Sequence, residues 1–265
     1  MQPGFVIFGY SFASYTTCLF SAYIITVLGS LFIAKNRGLD VFHMFKFLVF
    51  GIFFMIIGAK IMFFLVDGIN VYRQYLDSSD TSIRLPIYAM FGGWRFFGGV
   101  VAAILGGFIY LRSNKLDLVK YSASGFIFLP LSISIGRIGC FLAGCCYGIP
   151  YNGLFSITFP QIGSVHPLQL YESVLCLILF IVLLYMERKK FNDIHIILTL
   201  SIVISIIRFF AEYIRPDSIW FIPWLSVNQA FTILAIIFAC VLCFFGTGIK
   251  KKLSKLLVFK EAENE

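Results

Sequence analysis

Seven long apolar runs separated by short polar or glycine-rich connections set the rhythm of the chain, at residues 12–34, 41–66, 90–111, 120–143, 167–187, 194–214 and 226–247. Each approaches or exceeds the roughly 20 residues an α-helix needs to cross a bilayer. The pattern predicts an all-α, polytopic integral membrane protein with about seven transmembrane helices, organised as one transmembrane domain over 1–265 with a short basic tail over 248–265. The fourth run is the least regular: it opens on Tyr121, Ser122 and Ser124, carries Pro130 and ends in glycines around Arg137. The third, fourth and sixth runs each hold a basic residue, which lowers their hydropathy but raises their interest.

Composition agrees with the pattern. Hydrophobic residues make up 60% of the chain and charged residues only 13%, against about a quarter charged in a soluble domain, and mean hydropathy is +0.92. The net charge of +8 would suit nucleic acid were it gathered on one surface. Instead the basic residues cluster between apolar runs, so they report topology and no nucleic-acid partner is expected. Lys35 and Arg37, then Arg112, Lys115 and Lys120, then Arg188, Lys189 and Lys190, then the tail from Lys250 to Lys260 all fall on one side; Arg73, Arg84 and Arg215 fall on the other. The positive-inside rule then puts the N-terminus outside and the C-terminus in the cytoplasm, where the tail lysines can meet anionic lipid heads. No basic n-region or small-residue cleavage site precedes the first run, so that span is expected to be retained. Gln2–Phe12 and Tyr72–Ile87 read as arms along the outer interface.

This topology gathers the scattered polar residues at one level. The third span carries Gly92, Gly93, Arg95, Gly98 and Gly99 near its outer end, and the fourth delivers Arg137 and Cys140 to the same level. His166, Gln169 and Glu172 recur every third residue at the start of the fifth span; Ser201, Ser205, Arg208, Glu212 and Arg215 share one face of the sixth. Lys60 lies on the outer half of the second. Ionisable groups in hydrocarbon are costly and usually mark a functional site. Guanidinium groups present planar forks matched to phosphate oxygens, and in a low-dielectric pocket they stabilise charge that grows as a phosphate departs. A phospholipid head group is the obvious anion.

At these residues the chain resembles a known family. GRIGCFLAG at Gly136–Gly144, HPLQLYE at His166–Glu172, RFFAEYIRPD at Arg208–Asp217, GAK at Gly58–Lys60 and GGWRFFGG at Gly92–Gly99 look like the bacterial prolipoprotein diacylglyceryl transferases, in the family's order and over nearly the whole chain. The resemblance implies a seven-span inner-membrane enzyme with a site at the outer leaflet. Such an enzyme moves the diacylglyceryl group of phosphatidylglycerol to the thiol of the lipobox cysteine in a prolipoprotein signal peptide, releasing glycerol phosphate. It further implies that Arg137 binds the lipid, that Arg208 is the second essential arginine, and that Glu212 and Arg215 follow it, while His166, Gln169, Tyr171 and Glu172 match the most specific motif. Phe97 stands where the family commonly has histidine, Cys140 and Cys145 where it has asparagine and glutamate, and Ile204 where it has tyrosine.

Residue chemistry leaves second readings beside these. With Phe97 in place, His166 and Glu172 are the remaining candidates in these motifs for the base that deprotonates a thiol; His166 can equally cap the fifth helix. Arg137 can pair with Glu172 or Glu212 to hold the bundle together, and Glu212, four residues from Arg208, can orient that arginine. Arg95 near the interface is placed to snorkel, and the glycine pairs at Gly98 and Gly99 suit close helix packing. Asn228 and Gln229 suit interhelical hydrogen bonds. Cys140, Cys145 and Cys146 gather at the outer face and suit a disulfide, a redox role or a covalent nucleophile. No histidine spacing of a familiar metal site accompanies them, so no metal is expected, and no soluble cofactor motif appears. Three function classes result: the transferase, a lipid-binding relative that is silent or uses another acceptor, and a membrane anion carrier. Charges at one end of the bundle and no visible inverted repeat weigh against the carrier.

Overall fold

A computed structural model describes residues 4–7, 10–65, 96–160, 162–216, 220–222, 225–226, 228–234 and 236–237. Helices dominate it: α1 (Ser14–Asn36), α2 (Val41–Phe63), α3 (Phe96–Ser113), α4 (Leu118–Phe126), α5 (Leu129–Ala143), α6 (Leu168–Arg188) and α7 (Asp193–Ala211). Among the described residues, five stretches are long and apolar enough to cross a membrane, namely Ser14–Asn36, Val41–Phe63, Leu118–Ala143, Leu168–Arg188 and Asp193–Ile214, and Gly98–Ser113 is a shorter apolar helix. Residues 90–95 of the expected third span and most of the expected seventh span lie outside the described residues, as do Arg95 and the Tyr72–Ile87 arm.

The architecture is mostly helical rather than strictly all-α. Three antiparallel two-stranded sheets occupy connections: β1 (Gly4–Ile7) with β2 (Tyr10–Ala13), β3 (Ile157–Phe159) with β4 (Gly163–Val165), and β5 (Trp220–Ile222) with β6 (Leu225–Ser226). Outside hydrocarbon, short strands satisfy backbone groups that a helix would otherwise have to satisfy. The N-terminal arm expected to be amphipathic therefore forms a hairpin, in the register Gly4↔Ala13 to Ile7↔Tyr10. The irregular fourth span is two helices, α4 and α5, with Pro130 in the first turn of α5. Proline lacks an N–H and suits a helix start better than a helix interior.

The described residues fall into two compact units, Met1–Ser30 with Phe126–Glu265, and Leu31–Gly125. In the second unit α2 lies against α3 along glycines: a Cβ on Gly98 would overlap Met62 and stand 2.6 Å from the Gly58 carbonyl oxygen. Small residues let helix backbones approach this closely. His43 Nδ1 and Tyr110 Oη share a hydrogen bond of 2.9 Å there. In the first unit α5 and α6 are joined by a buried hydroxyl pair. Ser134 Oγ lies 2.9 Å from Ser173 Oγ, which donates to the Ser134 carbonyl at 3.0 Å. The buried layer beneath it includes Cys176, Leu179, Leu183, Ile196 and Leu200, whereas Phe20, Leu28 and Phe32 on α1 are exposed. Large apolar side chains facing outward are what a surface solvated by lipid requires.

Candidate functional site

The polar residues of the first unit collect at one end of α5, α6 and α7. Arg137 sits two turns into α5 and is buried, at 7% exposure. Its Nε lies 2.8 Å from Glu172 Oε2, on α6. Glu172 Oε1 accepts a hydrogen bond of 2.9 Å from Arg208 Nη1, on α7. One buried carboxylate thus bridges two guanidinium groups from two other helices. The Nε–H of Arg137 is not aimed at Oε2 well enough for a hydrogen bond, so this contact is a Coulombic pair. Among the described residues the terminal nitrogens of Arg137 have no acceptor, which leaves a planar edge for an anion.

The C-terminal end of α7 completes the charge pattern. Helix α7 stops at Ala211, Glu212–Ile214 tightens to a 3₁₀ turn, and Arg215 is extended. Glu212 is buried and its Oε1 accepts from Asn228 Nδ2 at 2.8 Å. Gln229 Nε2 donates to the Phe209 carbonyl at 3.3 Å, while its Oε1 accepts from the Ser226 N–H at 2.9 Å. Asn228 and Gln229 therefore bind the stretch 228–234 to the end of α7. Arg215 is within electrostatic reach of Arg208 and of the Cys146 thiol. Three arginines and two carboxylates make up the charge pattern among the described residues.

His166 is not on the helix. Helix α6 begins at Leu168 with Pro167 as its N-cap, and no side chain caps it. Proline restricts the residue before it to extended backbone, so His166 belongs to the preceding loop and its capping role falls away. Its backbone accepts from the Gly148 N–H at 2.8 Å and donates to the Ile149 carbonyl at 3.2 Å. Its ring stacks on Tyr151, with centroids 3.8 Å apart and planes at 11°, and Nδ1 lies 3.3 Å from Tyr171 Oη. The Ile149 N–H also donates to the Ile214 carbonyl at 2.8 Å, tying this loop to the end of α7.

The three cysteines follow from the end of α5. Gly144 terminates the helix in the left-handed region (φ 73°), which glycine enters without a Cβ penalty. Cys146 is left-handed too, at φ 60°. The sulfurs of Cys140, Cys145 and Cys146 all lie within 4.8 Å of one another, and all three are free thiols. A hydrogen bond from Cys140, with Arg137 and Arg215 nearby, pulls the Cys146 thiol down to about 5 against its burial. Burial and the neighbouring Cys146 push the Cys145 thiol up. Gln169, with no exposed surface, donates from Nε2 to the Cys145 carbonyl at 2.6 Å; its Oε1 has no donor among the described residues.

Arg137, Arg208, Arg215, Glu172, Glu212, Gln169, Tyr171, His166 and the three cysteines thus meet in one unit. Lys60, Gly98 and Gly99 belong to the other unit, and Gly99 meets α2 through the Met55 carbonyl, 2.9 Å from where its Cβ would stand. Sequence reasoning missed Tyr151, Ser134 and Ser173. Ser134, one turn before Arg137, carried a faint helical signal; Tyr151 carried none, because its stacking depends on the fold of a loop.

An apolar groove of about 320 Å³ lies between α6 and α7, lined by Leu175, Ile178, Val182, Val203, Ile206 and Phe210 among others. Phe210 and Ile206 stand two residues either side of Arg208. A buried arginine pair and an apolar groove carried by the same helices suit a multi-pass membrane enzyme. The chain matches the prolipoprotein diacylglyceryl transferase family over residues 3–245, and it belongs to that family of transferases. It is 27% identical to the phosphatidylglycerol–prolipoprotein diacylglyceryl transferase of Clostridium tetani over 210 residues, 77% of this chain and 81% of that one. It is 29% identical to the enzyme of that name from Finegoldia magna over 91% of this chain and 94% of that one. The Clostridioides difficile enzyme of that name is 34% identical over 146 residues, 55% of this chain and 58% of that one.

Proposed function

We propose that the protein transfers the diacylglyceryl group of phosphatidylglycerol to the thiol of a prolipoprotein lipobox cysteine, releasing glycerol phosphate. The observation that carries this reading is the pair of arginines, Arg137 and Arg208, sharing the single buried carboxylate of Glu172. These guanidinium groups suit a phosphodiester, which Arg137, Arg208 and Arg215 bind. As the carbon–oxygen bond to the phosphate breaks, negative charge grows on the departing oxygen, and fixed guanidinium groups lower that barrier. Acyl chains occupy the groove between α6 and α7. His166, held by Tyr151 and Tyr171, accepts a proton in the thiol chemistry, and Glu172 keeps the two forks aimed.

Membrane placement follows from the basic connections. The protein is a seven-span inner-membrane protein, with its N-terminus outside, its C-terminus cytoplasmic and its site at the outer leaflet. The test is thiol-dependent release of glycerol phosphate from phosphatidylglycerol by the purified protein with a lipobox peptide, and with Arg137→Ala as control. Turnover abolished in the variant is the expected result. Lipid binding without turnover in the wild type would overturn the transferase reading in favour of a silent relative or a different acceptor.

A further inference from the structure

Three cysteines converge where the sequence offered no metal signature. Their sulfurs lie within 4.8 Å of one another, whereas four-coordinate zinc with bonds of about 2.3 Å spaces its sulfurs by about 3.8 Å. Small side-chain rotations close that difference. Adjacent cysteines on ordinary extended or helical backbone send their side chains apart. Here Cys146 adopts φ 60°, an uncommon conformation for a non-glycine residue and one that surrounding structure must hold in place. It lets both members of the pair reach Cys140.

A disulfide would use two of these thiols and strand the third. A soft divalent ion uses all three. Three thiolates around Zn²⁺ leave one net negative charge, and Arg137, one helical turn from Cys140, and Arg215 both stand within electrostatic reach of Cys146 to balance it. The loop is also fixed by Gln169. Its Nε2 holds the Cys145 carbonyl at 2.6 Å, while its fully buried Oε1 has no donor among the described residues. A buried acceptor without a donor beside the cluster is suited to a protic group arriving there. Three protein ligands with a fourth position left for substrate is the arrangement of a catalytic rather than a structural zinc site.

We propose that Cys140, Cys145 and Cys146 form a three-thiolate zinc site whose fourth position binds and activates the acceptor thiol. This rests on the transferase reading above. On binding, the acceptor thiol loses its proton to His166, the base of that reading. The resulting zinc thiolate attacks the glyceryl carbon that carries the phosphate ester, forming the carbon–sulfur bond as the carbon–oxygen bond breaks. The electron pair leaves with glycerol phosphate, and the neutral thioether, a weak ligand, dissociates from the ion. Zinc thus makes the acceptor thiol acidic enough for that proton transfer.

The test uses full-length protein in detergent, with cobalt(II) as the spectroscopic probe. Wild type is expected to take up one ion per chain, with sulfur-to-cobalt charge-transfer and tetrahedral ligand-field bands. Cys145→Ser and Cys146→Ser should each weaken uptake about tenfold or more, while Cys176→Ser, outside the cluster, should not. A lipobox peptide should shift the ligand-field bands, and the same peptide with serine for cysteine should not. No cobalt bands, or a disulfide among the three cysteines in the native protein, would overturn the site. Bands insensitive to the cysteine peptide would overturn the activating role. Failure of the transferase reading is seen separately, as no glycerol phosphate release by zinc-loaded wild type. Undiminished release by Cys145→Ser or after chelation would leave that reading intact and sink this one.

Discussion

Replacing Glu172 with glutamine is the most informative perturbation of the arginine site, because the side chain keeps its shape and loses only its charge. Glu172 is 3% exposed and contacts Arg137 at 2.8 Å and Arg208 at 2.9 Å. Removing one partner of a buried ion pair typically costs about 3–5 kcal/mol, since the remaining charge is left uncompensated. Both arginines lose this charged partner, but the Arg208 side chain is 30% exposed, and solvent recovers part of its loss. The expected destabilisation is therefore about 3 kcal/mol, the lower end of that range. It would be read as a lower thermal unfolding midpoint in detergent. The site's net charge rises at the same time, so an anionic ligand should stabilise the variant more than it stabilises wild type. Phosphatidylglycerol would accordingly restore more of the midpoint in Glu172→Gln, while turnover falls because the forks are no longer aimed. A double-mutant cycle with Arg137→Gln isolates the pair, and contacting residues of this kind couple by about 0.5–3 kcal/mol. Unchanged stability together with additive effects in the cycle would refute the bridging role of Glu172.

Further outcomes follow from single contacts. Arg137→Lys keeps the charge but loses the planar edge, so kcat/KM for glycerol phosphate release should fall about ten- to hundredfold while the fold survives. His166→Asn should lower kcat about a hundredfold with little change in lipid KM if the ring takes a proton; a fall in stability with kcat unchanged would reduce it to a partner for Tyr151. Gln169→Leu removes the hydrogen bond to the Cys145 carbonyl and should cost about 1 kcal/mol of stability. Gly98→Ala forces a methyl group against Met62 and the Gly58 carbonyl, which should destabilise α2 against α3 by about 1–3 kcal/mol in thermal unfolding.

Much of this was legible in the sequence because hydrocarbon is an unforgiving solvent. Arg137, Glu172 and Arg208 stood out as charges inside apolar runs, and connectivity alone brought them to one end of the bundle. Helix ends were less legible: Pro167 moves His166 off α6, and the tightening after Ala211 turns Arg215 out of the helical face its spacing suggested. Pairing was open as well. Arg208 meets Glu172 on another helix, and Glu212, four residues from Arg208, meets Asn228. The connections were hardest to read, since three small hairpins form where no alternation of apolar and polar residues announces a strand. The cysteine cluster was visible as three residues but not as a triangle, because the left-handed turn at Cys146 that closes it has no signature in residue type.

Where this chain departs from its family also argues for a division of labour within the site. Arg137, Arg208, Glu172, Glu212 and Arg215, the groups suited to a phosphate and its leaving charge, match the motifs that carry the resemblance. The departures fall at Phe97, Cys140, Cys145 and Ile204. Two of these, Cys140 and Cys145, belong to the thiol triangle, which starts one helical turn beyond Arg137 and is fixed by Gln169. A chain that had lost interest in the lipid would have no reason to hold a buried carboxylate between two arginines, since such a cluster is costly unless it serves something. On the proposed reading, the lipid half of the reaction is the half whose motifs this chain shares. The change lies on the side proposed to receive the diacylglyceryl group, where a thiol must be deprotonated and held, and two sulfur atoms stand there where the resemblance puts an amide and a carboxylate.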